Sequence, residues 1–149
     1  MSRTSLLTAF LLTACGSETD LETAFCDILS ASDASATATT SPADAPTVVL
    51  DDASATVALL GGAAPYRGFV AYEVDEDGSF VFGLSDNVGL WLTDSDGTRL
   101  QPVSEVGGSD CADLAARSTW DLSIGTWYLE FESNVPGVTV TAEESDDDL

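Results

Sequence analysis

Two short acidic stretches are the chain's clearest candidates for chemistry. Glu73-x-Asp75-x-Asp77-Gly78 sets carboxylates at alternate positions ahead of a glycine, and Asp94-x-Asp96-Gly97 repeats the arrangement in shorter form. Oxygen ligands so spaced, with a glycine for the sharp bend, suit a hard divalent cation such as calcium. Most catalytic outfits are missing. The chain holds no His, which removes Ser–His and Cys–His nucleophile pairs, imidazole bases and the common zinc sites. It also holds no Lys, so Schiff-base chemistry is absent, and no G-x-S-x-G elbow, P-loop or G-x-G-x-x-G occurs. Two carboxylates could in principle act as a hydrolase pair. Among 26 Asp and Glu any two can be nominated, so the sequence points to a protein that is not an enzyme.

The first stretch resembles the front half of an EF-hand loop, but Leu84 stands where the bidentate Glu belongs. The stretch also reads as strand, so its alternate side chains share a face through a period of two and not through loop wrapping. Asp94 and Asp96 carry the same ambiguity. Glu73, Asp75, Asp77, Asp94 and Asp96 therefore read either as two acidic hairpin turns or as one weak calcium site using both, of the millimolar extracellular kind. No other cofactor is indicated.

The formal charge is −22, with only four cations. Nucleic-acid binding needs a basic footprint and is excluded. Charge-driven docking on an anionic lipid surface is excluded on the same ground. An acid-rich, Lys-free surface keeps a protein soluble and self-repelling, a property suited to saline water, where the repulsion is screened.

Arg3 opens the chain with a positive charge, and Ser5 to Thr13 is an apolar run carried by Leu6, Leu7, Phe10, Leu11 and Leu12. The run is far short of the roughly 20 residues that a spanning helix needs. With the small residues Thr13 and Ala14 after it, it has the order of a secretory signal. Leu12-Thr13-Ala14-Cys15 resembles the bacterial lipobox. In that family the signal is cleaved before the cysteine, which is lipidated and becomes the first residue. The resemblance implies an anchor at Cys15 and a place in the bacterial cell envelope. With Gly16 and not Asp following, it implies the outer membrane. The plainer readings are an ordinary signal peptide or a core helix.

With Cys15 lipidated, Cys26 and Cys111 remain as an even pair in an oxidising compartment, and a disulfide between them is expected. Ser17 to Leu29 reads as a short helix. Thr19-x-x-Glu22 fits a capping box, and Leu21, Phe25, Ile28 and Leu29 form one apolar stripe. Residues 30–46, rich in Ala, Ser, Thr and Pro, lack the large apolar residues needed to fold alone and read as a linker. Strand-like runs follow: Thr47 to Leu50, Thr56 to Leu60, Tyr66 to Val74, Phe80 to Leu84, Val88 to Leu92, Trp120 to Ile124, Trp127 to Phe131 and Val138 to Val140. Asp75 to Gly78 and Asp94 to Gly97 are turns between them. Asp113 to Arg117 reads as a helical turn. The Trp and Phe residues read mainly as core, with an aromatic sugar platform as the alternative.

The pattern predicts a mainly β fold, an antiparallel jelly-roll-type β-sandwich with a short N-terminal helix. Its expected divisions are a signal peptide (1–14), a lipidated N-terminus and helix (15–29), a linker (30–46), the sandwich (47–142) and a disordered acidic tail (143–149).

Gly89-Leu90-Trp91-Leu92-Thr93-Asp94-Ser95-Asp96-Gly97-Thr98-Arg99-Leu100 is similar to a hairpin of bacterial pre-peptidase C-terminal domains. Leu122-Ser123-Ile124-Gly125-Thr126-Trp127-Tyr128-Leu129-Glu130 resembles one of their strands. The resemblance spans about Ala45 to Ala142. It implies a small jelly-roll sandwich of non-catalytic class, some of whose members bind calcium or matrix polymers. This chain departs in having no catalytic domain before the module and in its Cys26–Cys111 pair. The expected function is a non-catalytic envelope lipoprotein displaying a sandwich that binds an envelope protein or polymer. A calcium-dependent adhesion or polymer-binding module and an acidic-site hydrolase are the alternatives.

Overall fold

A computed structural model gives the fold and describes residues 18–32 and 34–145. The expected signal peptide, Cys15 and residues 146–149 of the expected tail lie outside the described residues.

Helix α1 spans Glu18–Ser30. Its apolar stripe works as the spacing requires: Phe25 and Leu29 are buried with Val81 and Leu114, and Leu21 packs beside them. Nine strands are described: β1 (Ala34–Thr37), β2 (Ser54–Ala58), β3 (Tyr66–Val74), β4 (Gly78–Leu84), β5 (Gly89–Thr93), β6 (Ser104–Gly107), β7 (Ala116–Leu122), β8 (Gly125–Ser133) and β9 (Gly137–Ser145). They form two sheets, ordered β1-β2-β9-β4-β7-β6 and β3-β8-β5. Every pairing is antiparallel except that of β1 with β2. From β2 onward, each connection except β6 to β7 passes from one sheet to the other. This is the jelly-roll-type sandwich that the alternation predicts.

Period-two patterning explains the core. β3 turns Val70, Tyr72 and Val74 inward, β4 turns Phe80, Phe82 and Leu84, and β8 turns Trp127, Leu129 and Phe131, all of them buried. Trp120 is fully buried, and its indole N–H donates to Ser118 Oγ at 2.8 Å. Trp127 donates to the Ser123 carbonyl at 2.9 Å. Both indoles thus enter the interior with a partner. Helix α1 lies on the outer face of the larger sheet. Gly83 makes that approach feasible, because a Cβ there would stand 2.7 Å from the Phe25 ring.

Several local expectations are corrected. Residues 30–46 are not a free linker. β1 pairs with β2, Thr39 bridges Phe69, and Pro42–Asp44 forms a 3-10 turn capped by Ser41. Their small side chains cannot make a core, but their backbone can pair with sheet edges. Buried Ala38 sits so close to Gly68 that a Cβ on Gly68 would collide with it. Thr47 to Leu50 forms only isolated bridges, because the segment leaves one sheet for the other within a few residues. The tail boundary also moves: Glu143 and Glu144 continue β9, opposite Val81 and Phe80, so the strand outlasts its apolar pattern. The expected helical turn at Asp113 is a short turn followed by β7 from Ala116. Ile124 is 66% exposed because it occupies the β7–β8 turn. β6 has no buried residue, so its Ser-Glu-Val-Gly sequence gives no alternation to read.

Candidate binding cleft

The five acids nominated for calcium do not meet. Glu73 accepts the Thr126 hydroxyl at 2.8 Å. Asp77 accepts the Ile124 N–H at 2.6 Å, bracing the neighbouring turn. Asp94 accepts the N–H groups of Asp96 and Thr98, both at 2.9 Å, and so closes its own turn. Asp75 and Asp96 are exposed. Because β3 and β5 flank β8 and both run against it, their turns share one end of the smaller sheet. They are separated by two strand spacings, about 10 Å. Among the described residues, no group of three or more acidic or cysteine side chains is arranged to hold a metal ion.

A different acidic site lies on the side of the sandwich. The segment Thr47–Asp51 starts beside β3, where the Val48 N–H donates to the Ala71 carbonyl at 2.8 Å. It ends beside β9, where Asp51 bridges Ala142. Between these points it diverges from β3 and leaves a cleft of about 370 Å³. Tyr72 and Phe80 line it from the interior, Val49 stands on one lip, and Glu73 to Glu76 form the other. Asp51 and Glu144 close the end.

Tyr72 is the unusual member. The residue is 7% exposed, and its ring packs edge-on to Phe82 and Phe80 with centroids 5.4 and 6.2 Å away. Its hydroxyl has no hydrogen-bond partner among the described residues. Burial first, then the charges of Asp51, Glu144 and Asp75, push its pKa up to about 12. Nearby, burial holds the Glu143 carboxyl above its ordinary range, reinforced by Asp52 and Asp51. The region is thus short of positive charge. The described arginines are spent elsewhere: Arg67 on Glu132 (2.8 Å), Arg99 on Glu130 (2.8 Å) and Arg117 on Glu22 (3.9 Å). Arg99 also covers Trp91 at 4.7 Å from the ring, so the one half-buried Trp is already stacked.

Cys26 and Cys111 are joined, with their Cα atoms 6.2 Å apart. Glu22, expected in the capping box, accepts the Asp110 N–H at 2.8 Å, beside the bridged cysteine.

Sequence reasoning missed Asp51, Tyr72 and Glu144. One signal was present: a tyrosine on an inward face between Val70 and Val74 carries a hydroxyl that needs a partner or an opening. The carboxylates gave none, being remote in sequence and unremarkable in an acidic chain. Among known proteins, no family model and no curated sequence matches the chain. Fold and cleft together define a β-sandwich with a carboxylate-rimmed, tyrosine-lined opening on one side.

Proposed function

We propose that the chain is a non-catalytic lipoprotein of the bacterial cell envelope. Cys15 anchors it at the outer membrane, and the sandwich is displayed to bind an envelope protein or polymer. The observation that supports this reading is the fixing of α1. Only Gly16 and Ser17 separate Cys15 from the first residue of the helix. The helix is then bound to the sandwich by Cys26–Cys111, by Glu22 and by the Phe25 cluster. An anchor at Cys15 therefore holds a pre-set body close to the bilayer. Two or more acyl chains make such attachment stable. Labelled palmitate should mark the wild type and not Cys15→Ala, and the variant should leave the membrane fraction. An unlabelled wild type that fractionates like the variant sinks the anchor.

A calcium-dependent adhesion or polymer-binding role is a second reading, favoured by the placement of both acidic turns at one end of the smaller sheet. It requires calcium to raise the melting temperature above magnesium at equal ionic strength. The gain should vanish in Asp75→Asn/Asp96→Asn. An equal response to both ions removes it.

A further inference from the structure

We infer that the side cleft receives a lysine or arginine side chain from an extended basic polypeptide, which adds to the free edge of β3 at Glu73. The inference rests on the reading of the chain as a binding module and is independent of its lipid anchor.

The first support is chemical. Exposed Asp51, Asp75 and Glu144 line one cleft with Tyr72, whose ring is buried and whose hydroxyl has no hydrogen-bond partner among the described residues. Several carboxylates on one cleft favour a cation by direct attraction. The carboxylates do not converge as a compact divalent ion demands. An ammonium or guanidinium carries several donors spread over a larger group and can bond to separated oxygens and to the phenol.

The second support is that no described cation of the chain occupies the cleft. The chain has no lysine, and each of the three described arginines is ion-paired away from the cleft. The walls suit a long stem, because Val49 is 72% exposed at the lip above buried Val48 and Leu50. Lysine and arginine cover apolar surface with their methylenes while the charged head reaches polar groups.

The third support is the strand edge, which selects a polypeptide over a small amine. On the outer edge of β3, Arg67 exchanges hydrogen bonds with Leu60, Phe69 with Thr39, and Ala71 with Pro46 and Val48. Alternate residues of an antiparallel edge strand point their N–H and C=O groups the same way. Glu73 is next in that series, and its outward main-chain groups have no backbone partner among the described residues, because Thr47–Asp51 has already turned towards β9. An unpaired edge accepts an added strand. A segment pairing there lies along the mouth of the cleft, and its alternate side chains share one face.

Fluorescence anisotropy tests this with the full oxidised chain and a labelled peptide of alternating lysine and threonine. Asp51→Asn/Glu144→Gln should weaken binding by about tenfold or more, and Tyr72→Phe by about threefold. Glu105→Gln/Asp113→Asn, which removes the same charge from distant exposed positions, should change it by less than about twofold. The peptide with norleucine in place of lysine should not bind. Tyr72→Phe removes one oxygen and keeps the ring, so it remains a test if the double amide variant fails to fold. Equal weakening in the distant pair, or no binding at low ionic strength, overturns the cleft assignment. Spermine displacing the peptide at equal charge concentration overturns the polypeptide in favour of a small amine. Palmitate labelling is read separately, so a failed peptide experiment leaves the anchored-module reading intact.

Discussion

The two flanks of the sandwich treat acidic residues in opposite ways. On the helix side, Glu22 has an N–H from Asp110 and a cation in Arg117, and the surface beneath is sealed by Phe25, Leu29 and a disulfide. On the cleft side, Asp51, Asp75 and Glu144 line one opening with the Tyr72 phenol, and no described arginine pairs with them. Closure on the first flank stabilises the fold. The opening on the second leaves polar groups whose needs are met by water or by a ligand. In an acidic chain, the informative carboxylate is one placed beside others and a buried polar group, and not one at a turn.

The largest test of this contrast removes the seal. Cys26→Ser/Cys111→Ser opens a loop of sequence separation 85. Urea denaturation should show a loss of about 4 to 5 kcal/mol, if chain entropy dominates. Phe25→Ala should cost about 3 to 5 kcal/mol, because a fully buried ring leaves a cavity against Val81 and Leu114. Val49→Ala, on the cleft lip, should stay within about 0.5 kcal/mol. A costly Val49→Ala would mean that the lip is part of the core.

Alkaline titration sharpens the cleft side. The Tyr72 pKa rises from 10.0 to about 12 on folding. The folded state therefore keeps its proton longer than the unfolded state. Stability should be unaffected by this group below pH 10 and should fall as the pH rises from 10 towards 12. After allowance for solvent screening the loss is about 1 to 2 kcal/mol. Tyr72→Phe should flatten that slope, measured as denaturant midpoint against pH. An unchanged slope would place the phenol away from the carboxylates.

The smallest effect concerns Glu143. Burial, Asp52 and Asp51 raise its pKa above 4.5, so the folded state again binds the proton more tightly. Its contribution favours the fold at acidic pH and is lost as the pH climbs from 4.5 through the raised value. Glu143→Gln should be slightly more stable than the wild type at pH 7 and weaken the acid-side rise in stability. A loss at pH 7 would show that the carboxylate makes a favourable contact.

Much of the fold is legible in the sequence, because strand patterning is local. Val70, Tyr72 and Val74, or Trp127, Leu129 and Phe131, announce their inward face by period alone. The Asp94–Gly97 turn and the α1 stripe are also readable within a few residues. Segment 30–46 was misread because low apolar content excludes a core and yet permits backbone pairing at a sheet edge. The cleft was not legible for a different reason. Asp51, Glu144 and the pair Tyr72 and Asp75 come from three stretches remote in sequence. Their meeting depends on strand order and on where Thr47–Asp51 turns away from β3.

The sequence by itself determined the β class, the inward faces, the acidity and the shortage of cations. Each is a property of composition or of near-neighbour spacing. Only the tertiary structure decided which carboxylates lack a partner and which strand edge stays open. Proximity between distant residues is set by sheet order, and a period-two pattern carries no record of it.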